Sequence, residues 1–87
     1  MNGTQVRTEI REAIGKVLRR DPADIQDDTR LFEDLHFDST SVLELLAEIE
    51  DRTGLAFDGD ELDECMFRTV GTITDFVQTR LGLAART

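Results

Sequence analysis

The sequence is short of positive charge. Ten Lys and Arg stand against nineteen Asp and Glu, for a formal net charge of −9 at pH 7. Nucleic-acid binding is disfavoured, because phosphate contacts need clustered Lys and Arg. An anionic membrane surface is disfavoured on the same ground. A single cysteine, Cys65, leaves no internal disulfide and no cysteine-based zinc cage. Its neighbours Leu62, Met66 and Phe67 make it read as a half-buried structural thiol. A lone histidine, His36, is a poor metal site without such partners. No basic stretch followed by an apolar one opens the chain, so no signal peptide is visible. No apolar run approaches about 18 residues, so no membrane span is expected. A reducing, cytoplasmic setting is the expectation. Internal repeats, low-complexity tracts and sustained two-residue alternation are missing too, so strands are not expected.

What remains is a small acidic chain. Its 87 residues correspond to one domain, 1–87, with an ordered core over about 4–82. A chain of this size buries only about 60–65% of its unfolded surface, and 39% of its residues are hydrophobic. That supplies one small core and speaks against an enzyme with a deep substrate pocket. The charge is uneven. Residues 1–20 carry two acids against five bases, whereas residues 44–64 carry nine acids against Arg52 alone. Such a patch favours a basic protein partner, because complementary potentials steer encounter.

The periodicity is helical. Val6, Ile10, Ala13, Ile14, Val17 and Leu18 fall on one face of a first helix. Asn2 or Thr4 is its cap, and Asp21-Pro22 is its expected end. Residues 20–38 form a long connection, pinned by Ile25, Leu31, Phe32 and Leu35. A second helix begins near Asp38-Ser39-Thr40-Ser41 and stops at Gly54. An acidic turn at 58–60 precedes a short helical segment near 61–66. The last helix starts at Thr69, carries Val70, Ile73, Phe76, Val77 and Leu81 on one face, and ends at Gly82. Residues 83–87 read as a frayed tail. The expected fold is all-α, a four-helix bundle of three long helices and one short one.

The chemistry concentrates at the start of the second helix. With Ser39 at 0° and about 100° per residue, Val42, Leu45, Leu46 and Ile49 lie between roughly 240° and 340°. Leu43 sits at the margin of that apolar face. Thr40, Glu44, Glu48 and Asp51 lie between roughly 100° and 180°, with Ala47 beside them near 80°. One face feeds the core and the other is an acidic ridge leading away from a serine. A helix N-terminus offers unpaired N–H groups and a positive dipole end, which favour a phosphate. Ser39 is therefore a candidate for carrying a phosphodiester. The competing reading is capping: Asp38, Ser39 and Ser41 are all good caps, and Ser41 to Glu44 reads as a capping box.

Leu35-His36-Phe37-Asp38-Ser39-Thr40, followed by Val42-Leu43-Glu44-Leu45, resembles the carrier-protein signature. That signature runs Leu-Gly-x-Asp-Ser-Leu, then an apolar residue and Glu-Leu. Leu46, Ile49, Glu50, the stretch from Gly54 to Phe57, and Thr69-Val70-Gly71-Thr72-Ile73 resemble the later parts of the same family. The resemblance covers roughly residues 5–82. It implies a free-standing acyl carrier protein, with no catalytic residues of its own. A phosphopantetheinyl transferase would attach 4′-phosphopantetheine to Ser39, with Asp38 as its motif neighbour. The arm would hold an acyl group as a thioester. Thr40, Glu44, Ala47, Glu48 and Asp51 would then face partners: the transferase, an acyl-loading ligase, and acyl-processing or condensing enzymes with basic docking patches. The carrier would be a monomer acting with enzymes in trans. A fatty-acyl, polyketide or lipopeptide pathway would suit it. A peptidyl carrier, or an acidic helical interaction domain without a prosthetic group, is the alternative.

Two departures from the signature stand out. His36 occupies the usual Gly position, and Thr40 the usual Leu or Ile position after the serine. An apolar residue there commonly enters a partner's pocket, so Thr40 hints at a dedicated pathway. The stretch from Phe57 to Thr69 is also slightly longer than in fatty-acid carriers. A hydrolase triad of His36, Asp38 and Ser39 fails, because the three are nearly adjacent and no Gly-x-Ser-x-Gly elbow surrounds the serine. The acidic run from Asp58 fails as a calcium loop, since Leu62 and Thr69 stand where ligands are needed.

Overall fold

The computed structural model describes residues 2–57 and 64–82. Among them are three α-helices: α1 Gly3–Leu18, α2 Ser39–Thr53 and α3 Val70–Arg80. Two 3-10 turns, Pro22–Asp24 and Glu64–Phe67, lie in the connections. Among the described residues there is no strand, only an isolated bridge between Arg30 and Thr69. The short helix expected near 61–66 falls in part outside the described residues. Its described end is the 3-10 turn Glu64–Phe67. The acidic turn at 58–60 and the tail at 83–87 lie outside them too.

Local chemistry explains the helix ends. Asn2 caps α1 in a reciprocal box with Gln5, whose side chain returns to the Asn2 N–H. The helix ends at Leu18, before the expected Asp21-Pro22 stop. Arg19 takes the left-handed conformation at φ 58°, and the Arg20 N–H closes onto the Gly15 carbonyl at 2.9 Å. This return needs a bare Cα at Gly15, where a Cβ would lie 2.7 Å from the Arg20 carbonyl oxygen. Pro22 instead opens the first 3-10 turn, capped by the Asp21 side chain. Thr69 and Thr72 form the reciprocal cap of α3.

The core draws on all three α-helices. Val6, Ile10, Ala13 and Ile14 come from α1, Leu45, Leu46 and Ile49 from α2, and Val70, Ile73 and Val77 from α3. Each large aliphatic side chain buried this way contributes about 1.5–3 kcal/mol. Thr74 is buried among them and satisfies its hydroxyl on the Val70 carbonyl. The long connection contributes Ile25, Leu31, Leu35 and Phe37. Phe32, expected as a pin, is instead 42% exposed, and Phe37 takes the buried place. Cys65, expected to be half-buried, is exposed.

Backbone hydrogen bonds hold the connection alongside its apolar pins. The Val70 N–H donates to Thr29, the Gly71 N–H to Asp27, and the Leu31 N–H to Arg68. These bonds stitch the loop to the start of α3. Ion pairs set the α1–α2 geometry. Lys16 pairs with Glu48, while Arg52, later in α2, reaches back to Glu9 and Glu12. The two helices therefore run antiparallel. At the far end, the Gln78 side chain donates to the Gly3 carbonyl and ties the end of α3 to the start of α1. None of the described helices is long and apolar enough to cross a membrane.

Candidate functional site

The approach to α2 is built by alternation. Leu35 and Phe37 point into the core, while His36 between them is exposed. The Phe37 N–H donates to the Leu31 carbonyl at 3.0 Å and fixes the last turn of the loop. His36 meets this geometry at φ 58°, a conformation that glycine adopts without cost and other residues do not. The sequence departure at His36 thus falls on a position whose backbone favours glycine.

Asp38 is the cap of α2. Its carboxylate accepts the Ser41 N–H at 2.8 Å, and its carbonyl accepts the Val42 N–H. Ser41 therefore sits inside the first turn and does not act as the cap. The hydrogen bond from the Ser41 backbone, then that from its side chain, hold the Asp38 carboxyl below the ordinary carboxylate range. Capping is thus supplied by Asp38, and Ser39 is released from it. Ser39 is the first helical residue, exposed, and its hydroxyl makes no hydrogen bond among the described residues. It stands where the positive end of the helix dipole favours a phosphate on its oxygen.

The predicted ridge divides in two. Thr40, Glu44, Ala47 and Asp51 are exposed. Glu48 has a side chain only 16% exposed, held between Lys16 at 3.3 Å and Arg52 at 2.9 Å. The hydrogen bond from Arg52 leads in holding its carboxyl below the ordinary range. An open groove of about 470 Å³ runs between α1 and α2, lined by Lys16, Val17, Glu44, Ala47, Glu48 and Asp51. The sequence reading left Leu43 at the margin of the apolar face, yet it is 66% exposed. It lies one turn beyond Ser39 on the same side of α2. Its angle of roughly 40°, well outside the apolar arc, was the signal for this position.

The geometry is thus an exposed hydroxyl on a capped helix, followed by an exposed leucine and an exposed acidic stripe. Comparison with known proteins gives the same residues a context. The family of the phosphopantetheine attachment site matches residues 8–77. The chain is 27% identical over 81 residues to an acyl carrier protein of Exiguobacterium sibiricum, covering 93% of this chain and 100% of that one. It is 30% identical over 82 residues to an acyl carrier protein of Borreliella burgdorferi, covering 94% and 100%. It is 30% identical over 77 residues to the acyl carrier protein AsbD of Bacillus anthracis, covering 83% and 85%.

Proposed function

The chain belongs to the phosphopantetheine attachment-site family, and from that premise we propose that Ser39 carries 4′-phosphopantetheine and that the protein shuttles acyl groups between separate cytoplasmic enzymes. The observation that carries this reading is the exposed Ser39 hydroxyl at the start of α2, without a hydrogen bond among the described residues, with Asp38 beside it committed to capping. In the loading step, Ser39 Oγ attacks the phosphorus of coenzyme A that bears the pantetheine. The phosphoanhydride bond breaks and adenosine 3′,5′-bisphosphate leaves. The hydroxyl proton passes to a base of the transferase. When bound, the arm supplies a thiol for thioester formation.

The chain's own part is positioning. Asp38 fixes the first turn of α2, and its carboxylate satisfies the Ser41 N–H. The helix dipole favours the phosphodiester's negative charge. Carriers of this family hold cargo and leave the catalysis to their partners, and this chain is read the same way. Its match to the full length of the Exiguobacterium and Borreliella acyl carrier proteins supports the acyl-carrier reading. Thr40, Glu44, Ala47 and Asp51 form the partner face, with Glu48 behind it, and the exposed acids favour basic partners. Thr40 in place of the signature's apolar residue favours a dedicated pathway over general fatty-acid synthesis.

The test is intact-mass spectrometry after incubation with coenzyme A and a promiscuous phosphopantetheinyl transferase. One phosphopantetheine on the parent and none on a folded Ser39→Ala variant is the expected result. No gain on the folded parent would defeat the carrier reading.

A further inference from the structure

A second surface, formed outside α2, lies near Ser39. A cleft of about 280 Å³ lies between the connection before α2 and the turn before α3. Arg30, Phe32, Glu33, Cys65 and Arg68 line it. At that size it suits one or two side chains better than a cofactor. Phe32 is one of two large apolar side chains exposed among the described residues, and aromatic residues and arginine are the types enriched at protein interfaces.

The two arginines differ in what holds them. Arg30 is occupied by Glu33 at 2.7 Å and Asp34 at 3.2 Å. Arg68 is exposed and has no carboxylate partner among the described residues. Glu33, the acid lining the same cleft, is committed to Arg30. Among the described residues, Arg68 is thus a cation with no carboxylate on it, in a cleft it shares with an exposed phenylalanine.

The cleft is close to the serine. The Phe37 N–H bonds Leu31, and the Leu31 N–H bonds Arg68. Each such bond places the Cα atoms about 5 Å apart, and Ser39 is two residues beyond Phe37, so Arg68 lies within roughly 18 Å of Ser39. An interface burying about 800 Å² per partner spans about 30 Å, wider than that separation, so one enzyme footprint is large enough to include both Ser39 and Arg68.

We propose that this cleft is a second docking point, taking an acidic side chain of the enzyme that acts at Ser39, with Arg68 as its counter-ion and Phe32 as the apolar floor. The proposal rests on the carrier reading. It assigns partners a mixed footprint, with cations opposite Glu44 and Asp51 and a carboxylate opposite Arg68.

The sign of one substitution separates this from long-range steering. Making an acidic chain more acidic speeds encounter with a basic partner, whereas the cleft requires Arg68→Glu to slow it. The test measures kcat/KM for phosphopantetheine transfer to the whole chain by the promiscuous transferase. Arg68→Lys should stay within about threefold of the parent. Arg68→Glu should fall tenfold or more, mostly through KM, with an unchanged circular-dichroism spectrum, and the gap should narrow as salt rises. An Arg68→Glu rate equal to or above the parent's overturns the docking point while leaving Ser39 loading intact. Equal losses in Arg68→Lys and Arg68→Glu also overturn it, since charge would not be what is read. A folded parent that takes no phosphopantetheine defeats the carrier reading, and this proposal with it.

Discussion

At the scale of single residues, His36 is the most informative. At φ 58° its Cβ crowds the adjoining backbone, a strain of about 1–2 kcal/mol for an ordinary L-residue. Histidine tolerates the region better than β-branched residues do. His36→Val should therefore lower unfolding free energy by about 1–2 kcal/mol, while His36→Gly should leave it level or slightly higher, as read by urea titration. The sequence marked this position only through its departure from a glycine. Phe32 and Phe37 were harder to read. In an irregular connection neither the helical nor the strand period applies, so the residue that faces inward is set by the Phe37–Leu31 hydrogen bond. The buried Leu31 next to Phe32 shows how one residue of shift exchanges inside for outside.

At the scale of elements, the helices were legible because their signals are local. Asn2, Asp38, Thr69 and Gly54 mark ends through side chains or backbone freedom that act within four residues. The end of α1 was misplaced because Arg19 and Gly15 close it through a backbone return that no single residue type announces. The cap of α2 has a pH signature. Backbone hydrogen bonding lowers Asp38, and the Arg30 backbone leads in lowering Asp34. A depressed carboxyl stabilises the fold above its unfolded value, near pH 3.9, and loses that contribution as pH falls through the folded one. Thermal midpoints should accordingly drop on acidification below about pH 4. Asp38→Asn keeps a good cap without a titrating group, so it should weaken that acid dependence while leaving the midpoint at pH 7 nearly unchanged.

At the scale of the whole molecule, the all-helical class followed from periodicity and the candidate site was proposed from one motif, but the state of the ridge was not legible. Glu48 was grouped with the exposed acids because the helical angle alone places it there. Its ion pair with Lys16 joins α2 to α1, and no pattern within α2 reports it. Arg52 is the centre of this network, 23% exposed and bound to Glu9, Glu12 and Glu48. Arg52→Ala would leave three carboxylates facing one another. The expected cost is about 1–2 kcal/mol, between an exposed pair and a buried one, seen as a lower urea midpoint with an unchanged slope.

The hydrogen bond from Gln78 to Gly3 has a practical reach. It brings the start of α1 and the last turns of α3 together at one pole. The antiparallel α1–α2 pairing puts Ser39 at the other. The approaches to the serine thus lie at the pole opposite the one where α1 begins and α3 finishes.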